Sequence, residues 1–177
     1  MLATMSKAFT RESDDASELP VRPPRASPLP PGTKNYLTPD GAARLRAELD
    51  ELMQKERPGV AQDSERAAEP DARHRHQTLD ARIAELQQTL HTAVVVPAPA
   101  PPYEQVRFGA TVLVREGNGE EARYRIVGVD ETDIDRGWVS WLSPIAKALL
   151  NARPGQRVRF QCPSGEAELE IVEIRYE

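Results

Sequence analysis

The sequence predicts an α+β protein in which an antiparallel helical hairpin precedes a small domain of strands and one short helix. Two observations support this fold class. Two segments with helical spacing of apolar residues lie on either side of a break at Pro58-Gly59. Beyond the proline-rich segment 97–102, the apolar residues alternate as they do in β-strands. The chain is therefore divided into a proline-rich arm at 1–35, a coiled-coil hairpin at 36–96, a linker at 97–102 and a folded domain at 103–177.

The composition restricts both the compartment and the partners. With 28 acidic and 23 basic residues, the chain has a formal net charge of −5, which argues against binding to duplex DNA through phosphate neutralisation. Any contact with nucleic acid is therefore expected to come through a protein partner. The one cysteine, Cys162, allows no intramolecular disulfide. Since no apolar run reaches the roughly 18 residues of a membrane span, we expect a soluble cytoplasmic protein without membrane contacts.

The arm at 1–35 has little apolar periodicity and contains six prolines between Pro20 and Pro31. Such a segment buries too little apolar surface to offset the entropy that it would lose on ordering. We expect the arm to be disordered or extended.

The first helix of the hairpin has clear start signals. Thr38 suits the N-cap, Pro39 the first helical position and Asp40 the first turn. The apolar residues that follow recur three and four positions apart, as they do in one stripe of a coiled-coil helix. These residues are Ala42, Leu45, Leu49 and Leu52.

A second stripe with the same spacing begins after Asp71. Two such stripes separated by a breaker predict antiparallel helices joined by a turn between Pro58 and Pro70. Because each stripe covers the other, we expect a monomer. His74 and His76 lie two positions apart and point to different faces of the helix, which argues against a metal site. The stripe consists of Ala72, His76, Leu79, Ile83, Leu86, Leu90 and Ala93.

The domain after the linker is predicted to contain five strands and a short helix. Gly117-Asn118-Gly119 provides a hairpin turn between the first two strands. Ser143-Pro144 caps a helix at 145–150. The strands are predicted at 111–114, 124–129, 138–142, 157–161 and 167–174.

Five segments resemble the bacterial Gre transcript-cleavage factors, and they occur in the family's order. The hairpin contributes Y-L-T-P-D-G-A-A-R-L-R-A-E-L-D-E-L and A-R-I-A-E-L-Q-Q-T-L, and the following domain contributes F-G-A-T-V, Y-R-I-V-G-V-D-E and S-P-I-A-K-A-L-L. The resemblance covers residues 36–177. It implies an FKBP-like C-terminal domain that docks on the rim of the secondary channel of RNA polymerase, with the hairpin inserted into the channel.

The same resemblance implies a docking surface on the C-terminal domain. Ser143, Pro144 and Ile145 would contact the polymerase, and Asp130 and Glu131 would lie in a nearby loop. RNA polymerase would be the partner, and nucleic acid would be contacted only within the transcription complex. Such a protein would regulate the polymerase without being an enzyme, and it would need no cofactor of its own.

The hairpin tip departs from the family pattern. In the Gre factors, a D-x-S-E-N-A-E-Y segment brings two carboxylates beside the catalytic magnesium of the polymerase. Here the segment D-S-E-R-A-A-E-P offers Asp63 and Glu65. The hairpin is also shorter by about ten residues, and losing about half of these from each helix reduces its reach by roughly 7–8 Å. Because a magnesium ligand must lie at about 2.1 Å, we expect little stimulation of transcript cleavage.

Two alternatives stay open at this stage. A genuine Gre-type factor would stimulate cleavage of backtracked RNA through Asp63 and Glu65, using the Mg²⁺ of the polymerase active site. A short-hairpin regulator of the type first linked to nucleoside diphosphate kinase would share the docking without the chemistry, and the hairpin length favours it. A prolyl isomerase is disfavoured, because its apolar pocket would require aromatic residues that this domain needs for its own core.

Overall fold

The computed structural model describes residues 29–30, 32–57, 70–162 and 165–176, so most of the arm predicted at 1–35 lies outside the described residues. Residues 35–57 and 70–96 form the part that we call the hairpin unit. In chain order it contains β1 (Asn35–Leu37), α1 (Pro39–Glu51), a π-helical turn (Leu52–Glu56) that extends α1, α2 (Pro70–Thr92) and β2 (Ala93–Val95).

The C-terminal domain is a five-stranded sheet with one short helix. The strands are arranged in the order β5-β4-β3-β7-β6, and every neighbouring pair is antiparallel except β4 and β5, which are parallel. Mixed sheet and helix of this kind confirm the predicted α+β class. The elements are β3 (Ala110–Glu116), β4 (Glu121–Val127), a 3-10 helix (Val129–Glu131), β5 (Trp138–Ser140), α3 (Pro144–Leu149), β6 (Arg157–Cys162) and β7 (Gly165–Tyr176).

Helix α1 begins where its sequence predicts. Thr38 is the N-cap in extended conformation, and its hydroxyl accepts a hydrogen bond from the Gly41 amide at 3.0 Å. Pro39 occupies the first helical position, where its missing N–H costs nothing. The cap fixes the direction in which the chain leaves β1 and enters the hairpin.

The two helices run antiparallel, because contacts move backwards along α2 as they move forwards along α1. The Glu48 carboxylate lies 2.7 Å from Arg82 Nη2, and Arg57 Nε lies 3.2 Å from Asp80 Oδ1. Between the helices the predicted apolar stripes meet in one buried cluster. Its members are Leu37, Ala42, Leu45, Leu52, Leu79, Ile83 and Leu86. None of the described helices is both long and apolar enough to cross a membrane.

The end of the second helix differs from its prediction. The apolar stripe continues to Ala93, yet α2 ends at Thr92 and Ala93–Val95 forms strand β2. This strand pairs in parallel with Asn35–Leu37, and the Val96 amide donates to the Leu37 carbonyl at 2.9 Å. The pairing satisfies backbone groups that a frayed helix end would leave to water, and it holds the two ends of the hairpin together.

One face of the sheet forms the core of the C-terminal domain. Alternate residues of β3, such as Val112 and Val114, are fully buried there, and α3 covers the same face with Ala146 and Leu149. Residues on the opposite face form exposed ion pairs, including Arg115 with Glu121 at 3.1 Å. The hairpin unit contacts the C-terminal domain at the ends of β4 and β5.

Candidate functional site

The predicted docking residues lie at one edge of the C-terminal sheet. Because β4 and β5 are parallel, the segments that follow them leave the sheet at the same edge. The 3-10 helix Val129–Glu131 follows β4, and Trp141 to Ser143 follow β5. The structure thus places Asp130 and Glu131 at the same end of these strands as the start of α3.

The start of α3 is a rigid corner. The Ser143 hydroxyl caps the helix by accepting from the Ala146 amide at 3.2 Å. Pro144 follows in the first helical position and is exposed, while Ile145 is half-buried and packs against the domain core. The corner therefore presents a small apolar surface. Its helix is held in place by Ala146 and Leu149, which are buried in the domain core. We call Ser143, Pro144, Ile145 and Asp130 the docking edge, after the contact that the family resemblance implies for this region.

Asp130 faces solvent and also contacts the hairpin unit. Its Oδ2 accepts a hydrogen bond from Asn35 Nδ2 at 3.2 Å. The same amide group of Asn35, a residue only 5% exposed, reaches the Thr89 carbonyl at 3.4 Å. An exposed acid of the docking edge is thus linked through one buried amide to the last turns of α2.

Glu131 does not belong to a docking surface, which corrects the sequence prediction. It is only 4% exposed, and its carboxylate points into the base of the hairpin unit. Oε2 accepts from the Thr38 and Gly128 amides, each at 2.9 Å, and Oε1 accepts from the Thr38 hydroxyl. A carboxylate beside the N-terminus of α1 also complements the helix dipole. In this position it cannot contact a partner protein.

A second polar contact joins the same two parts. Asp40 Oδ2 lies 3.0 Å from Arg125 Nη2, and Arg125 lies in β4, where it pairs with Trp138 of β5. The Trp138 ring lies under three guanidinium groups, with Arg44 at 4.5 Å, Arg125 at 5.2 Å and Arg136 at 5.3 Å from its centroid. Arg44 belongs to α1, so the ring is shared between the hairpin unit and the domain.

An aromatic contact completes this region. Tyr36 of β1 packs edge-on against Trp141, with ring centroids 5.2 Å apart, and against Phe108 at 5.9 Å. The two tryptophans, Trp138 and Trp141, therefore both contact the hairpin unit. We call the contact of Tyr36, Thr38, Asp40, Gly41 and Arg44 with the C-terminal domain the junction.

Asp63 and Glu65, the predicted tip acids, are outside the described residues. Ile134 is 92% exposed and lies in the turn before β5, at the opposite end of that strand from Ser143. No sequence pattern indicates Ile134, since an isolated apolar residue in a turn carries no periodic signal.

Both the hairpin unit and the C-terminal domain match known protein families. Residues 35–95 match the profile described as "Transcription elongation factor, N-terminal", and residues 100–176 match "Transcription elongation factor, GreA/GreB, C-term". Transcription elongation factor GreB of Neisseria meningitidis serogroup A is 39% identical over 155 residues, which cover 81% of this chain and 95% of the relative. Transcription elongation factor GreA of Alkalilimnicola ehrlichii is 43% identical over 156 residues, which cover 81% and 99%.

Solved structures include the GreA/GreB factor from Nitrosomonas europaea, which is 26% identical and covers 81% of this chain and 100% of its own, with a TM-score of 0.40. The GreA factor homolog 1 protein of Thermus thermophilus is 24% identical over 81% of this chain and 99% of its own, with a TM-score of 0.38. The family assignment follows from the sequence profiles, which cover both the hairpin unit and the C-terminal domain, and from the curated relatives. This chain belongs to the GreA/GreB family of transcription elongation factors.

Proposed function

We propose that this protein binds RNA polymerase at its secondary channel and regulates elongation with little stimulation of transcript cleavage. The C-terminal domain docks through the docking edge, and the short hairpin enters the channel. The observation that carries the proposal is the length of the hairpin relative to the family.

A difference in length between this chain and one aligned relative supports a shorter hairpin. The match to the Neisseria GreB spans 155 positions, whereas 81% of this 177-residue chain is about 143 residues. About twelve positions of the relative therefore have no counterpart here. If they divide equally between the two helices, each helix is shorter by about six residues, or roughly 9 Å.

A hairpin that is shorter by this length argues against a catalytic role of the tip acids, whatever the charge of the tip. Carboxylates that act at the polymerase magnesium must come within about 2.1 Å of the ion. A hairpin docked at the same rim but shorter by several ångströms leaves Asp63 and Glu65 outside that range. The hairpin would then occupy the channel and change its shape without supplying magnesium ligands.

The docking edge has the properties that this role requires. Pro144 is exposed on a corner whose helix is anchored in the domain core, so docking would order few additional groups. Asp130 adds an exposed acid at the same edge. A preorganised apolar corner beside a charge suits recognition of another protein.

The alternative function, stimulation of magnesium-dependent cleavage through Asp63 and Glu65, is favoured by the names of the relatives, which are GreA and GreB factors. A short-hairpin regulator of the nucleoside diphosphate kinase regulator type would share the docking. The cleavage-stimulating function differs from the other two in one measurable respect, which is cleavage of RNA in a backtracked complex.

The test is a cleavage assay on backtracked elongation complexes, with a Gre factor added in parallel reactions. We expect no shortening of RNA by this protein alone and inhibition of the added Gre factor. Pro144→Ser should weaken that inhibition several-fold, whereas Asn118→Ser, in an exposed turn of the same domain, should not. RNA shortening that disappears in Asp63→Asn/Glu65→Gln would establish the alternative, and failure to compete would overturn the docking proposal.

A further inference from the structure

We propose that Glu131 is a positioning residue that fixes the direction of the hairpin relative to the docking edge. The inference rests on the proposed function, in which the edge docks and the hairpin enters the channel. It concerns how the protein joins these two parts and can be measured without the polymerase.

The Glu131 carboxylate makes contacts that no neutral apolar side chain could replace. Its side chain is 1% exposed. One oxygen accepts from two backbone amides, of Thr38 in the hairpin unit and of Gly128 in the C-terminal domain. The other accepts from the Thr38 hydroxyl, which in turn accepts from the Gly41 amide. A single side chain thus bridges the two parts through buried charge-assisted hydrogen bonds, which are stronger than neutral ones.

The glycine in the first turn of α1 is explained by the same contact. A Cβ atom on Gly41 would collide with the Glu131 carboxylate, and the colliding atoms include Oε1, Cδ and Cγ. Glycine is a poorer helix former than alanine. Its presence here gives the Glu131 side chain the space to reach Thr38. Gly41 therefore lowers the helix propensity of α1 but allows the contact at the junction.

Glu131 is also adjacent to the docking edge. Asp130, the preceding residue in the same 3-10 helix, is exposed and contacts Asn35. One residue of this helix therefore faces solvent at the docking edge while the next faces the hairpin unit. In the proposed complex, the docking edge and the hairpin unit would therefore be connected through adjacent residues of one short helix.

The length of the hairpin makes small rotations important. Helix α2 has 23 residues, which corresponds to about 34 Å. A rotation of about 10° at the junction moves the far end of such a helix by roughly 6 Å. Loss of the Glu131 bridge should therefore appear as a large displacement of the hairpin even where each domain stays folded.

The experiment measures this displacement in the free, full-length protein. Spin labels are attached to the native Cys162 of β6 and to the cysteine of Gln77→Cys, an exposed position of α2, and the distance between them is measured by pulsed electron resonance. We expect one narrow distribution for the parent protein. Glu131→Ala should shift the mean by about 5 Å or broaden the distribution to a similar extent. Glu131→Gln, which retains an oxygen acceptor for both amides, should restore the parent distribution.

Gly41→Ala provides a second variant, because it displaces the carboxylate while raising helix propensity. It should reproduce the shift of Glu131→Ala without loss of helical circular dichroism. Glu104→Ala and Gly117→Ala are the matched controls, since Glu104 is exposed and a Cβ on Gly117 meets nothing within 4 Å. Parent-like distributions in both Glu131→Ala and Gly41→Ala would overturn the inference.

A polymerase readout separates this inference from the proposed function. Glu131→Ala should still compete with a Gre factor for polymerase, because the docking edge is intact, but it should lose most of its own effect on elongation. If the distances shift as expected and no variant binds polymerase, the proposed function fails while the positioning role stands. If the distances do not shift, the positioning role fails whatever the polymerase assay shows.

Discussion

Asp40 in the first turn of α1 and Arg125 in β4 form an ion pair of 3.0 Å that ties the hairpin unit to the C-terminal sheet. Arg125 is only 8% exposed as a residue, whereas the Asp40 side chain is 61% exposed. The buried cation thus has a partner that solvent also reaches, which limits the stabilisation that the pair provides.

Asp40→Ala should lower the free energy of unfolding by about 1–2 kcal/mol, because it removes a charged hydrogen bond to a buried guanidinium. The measurement is urea unfolding followed by circular dichroism. Asp50→Ala serves as the control, since Asp50 is exposed in the same helix, and it should change stability by less than about 0.5 kcal/mol. Equal effects of the two substitutions would contradict a stabilising role for the Asp40–Arg125 pair.

Thr38→Ala should destabilise the protein by about 2–3 kcal/mol. It removes the N-cap of α1, worth about 1 kcal/mol, and leaves the buried Glu131 carboxylate without one donor, which costs a further 1–2 kcal/mol or so. Thr38→Ser keeps the hydroxyl and should recover most of the loss. Thr78→Ala, at an exposed position of α2, should have little effect in the same unfolding measurement, and a comparable loss there would point to general helix destabilisation instead.

Leu86→Ala tests the hairpin core. Leu86 is 1% exposed between the two helices, and a truncation of this kind costs about 2–5 kcal/mol through lost burial and a residual cavity. Hydrogen exchange of amides in α2 should accelerate strongly, while those of β3 and β7 should change less. The exposed neighbour Gln87 offers a control, because Gln87→Ala should leave exchange nearly unchanged. Uniform acceleration across both parts would instead indicate that the hairpin and the domain unfold as one unit.

A hydrogen bond from Arg159 lowers the pKa of Glu168 on the exposed face of the sheet; Nε lies 2.8 Å from Oε2. Arg159→Gln should therefore raise this pKa toward the ordinary glutamate value of about 4.3. A depressed pKa in the folded state stabilises above the unfolded pKa, and this contribution disappears as the pH falls through the folded pKa. The contribution is therefore present at neutral pH, and only its change with pH is confined to the acidic range. An NMR titration of the Glu168 side chain measures the pKa, and an unchanged pKa in the variant would rule out Arg159 as the main cause.

The elements with periodic or capping signals were predictable from sequence. Thr38, Pro39 and the stripe through Leu45 and Leu52 determine a helix by local chemistry, and the structure has it at the predicted position. Ser143 caps α3 for the same reason. The resemblance of these segments to the Gre factors also predicted the family, and both family profiles match the parts of the chain that contain them.

The junction could not be predicted in this way, because its contacts join residues far apart in sequence. Thr38 and Glu131 are separated by 93 positions, and no local pattern indicates that an acid in the D-E turn lies beneath a helix N-terminus. Strands β1 and β2 have three residues each, too few for alternation to appear. The one local signal was Gly41, a poor helix former in a first turn, which indicates close approach of another group.

Both tryptophans of the chain lie at the junction: Trp138 under Arg44 and Trp141 against Tyr36. Intrinsic fluorescence excited at the indole band therefore comes entirely from the place where the hairpin unit meets the C-terminal domain. The emission maximum and the quenching of this fluorescence therefore report on the contact between the hairpin unit and the C-terminal domain in the unmodified protein. Changes at the junction on mixing with a polymerase can then be followed in real time without a dye. The polymerase must either lack an interfering tryptophan signal or have its signal removed by difference spectra.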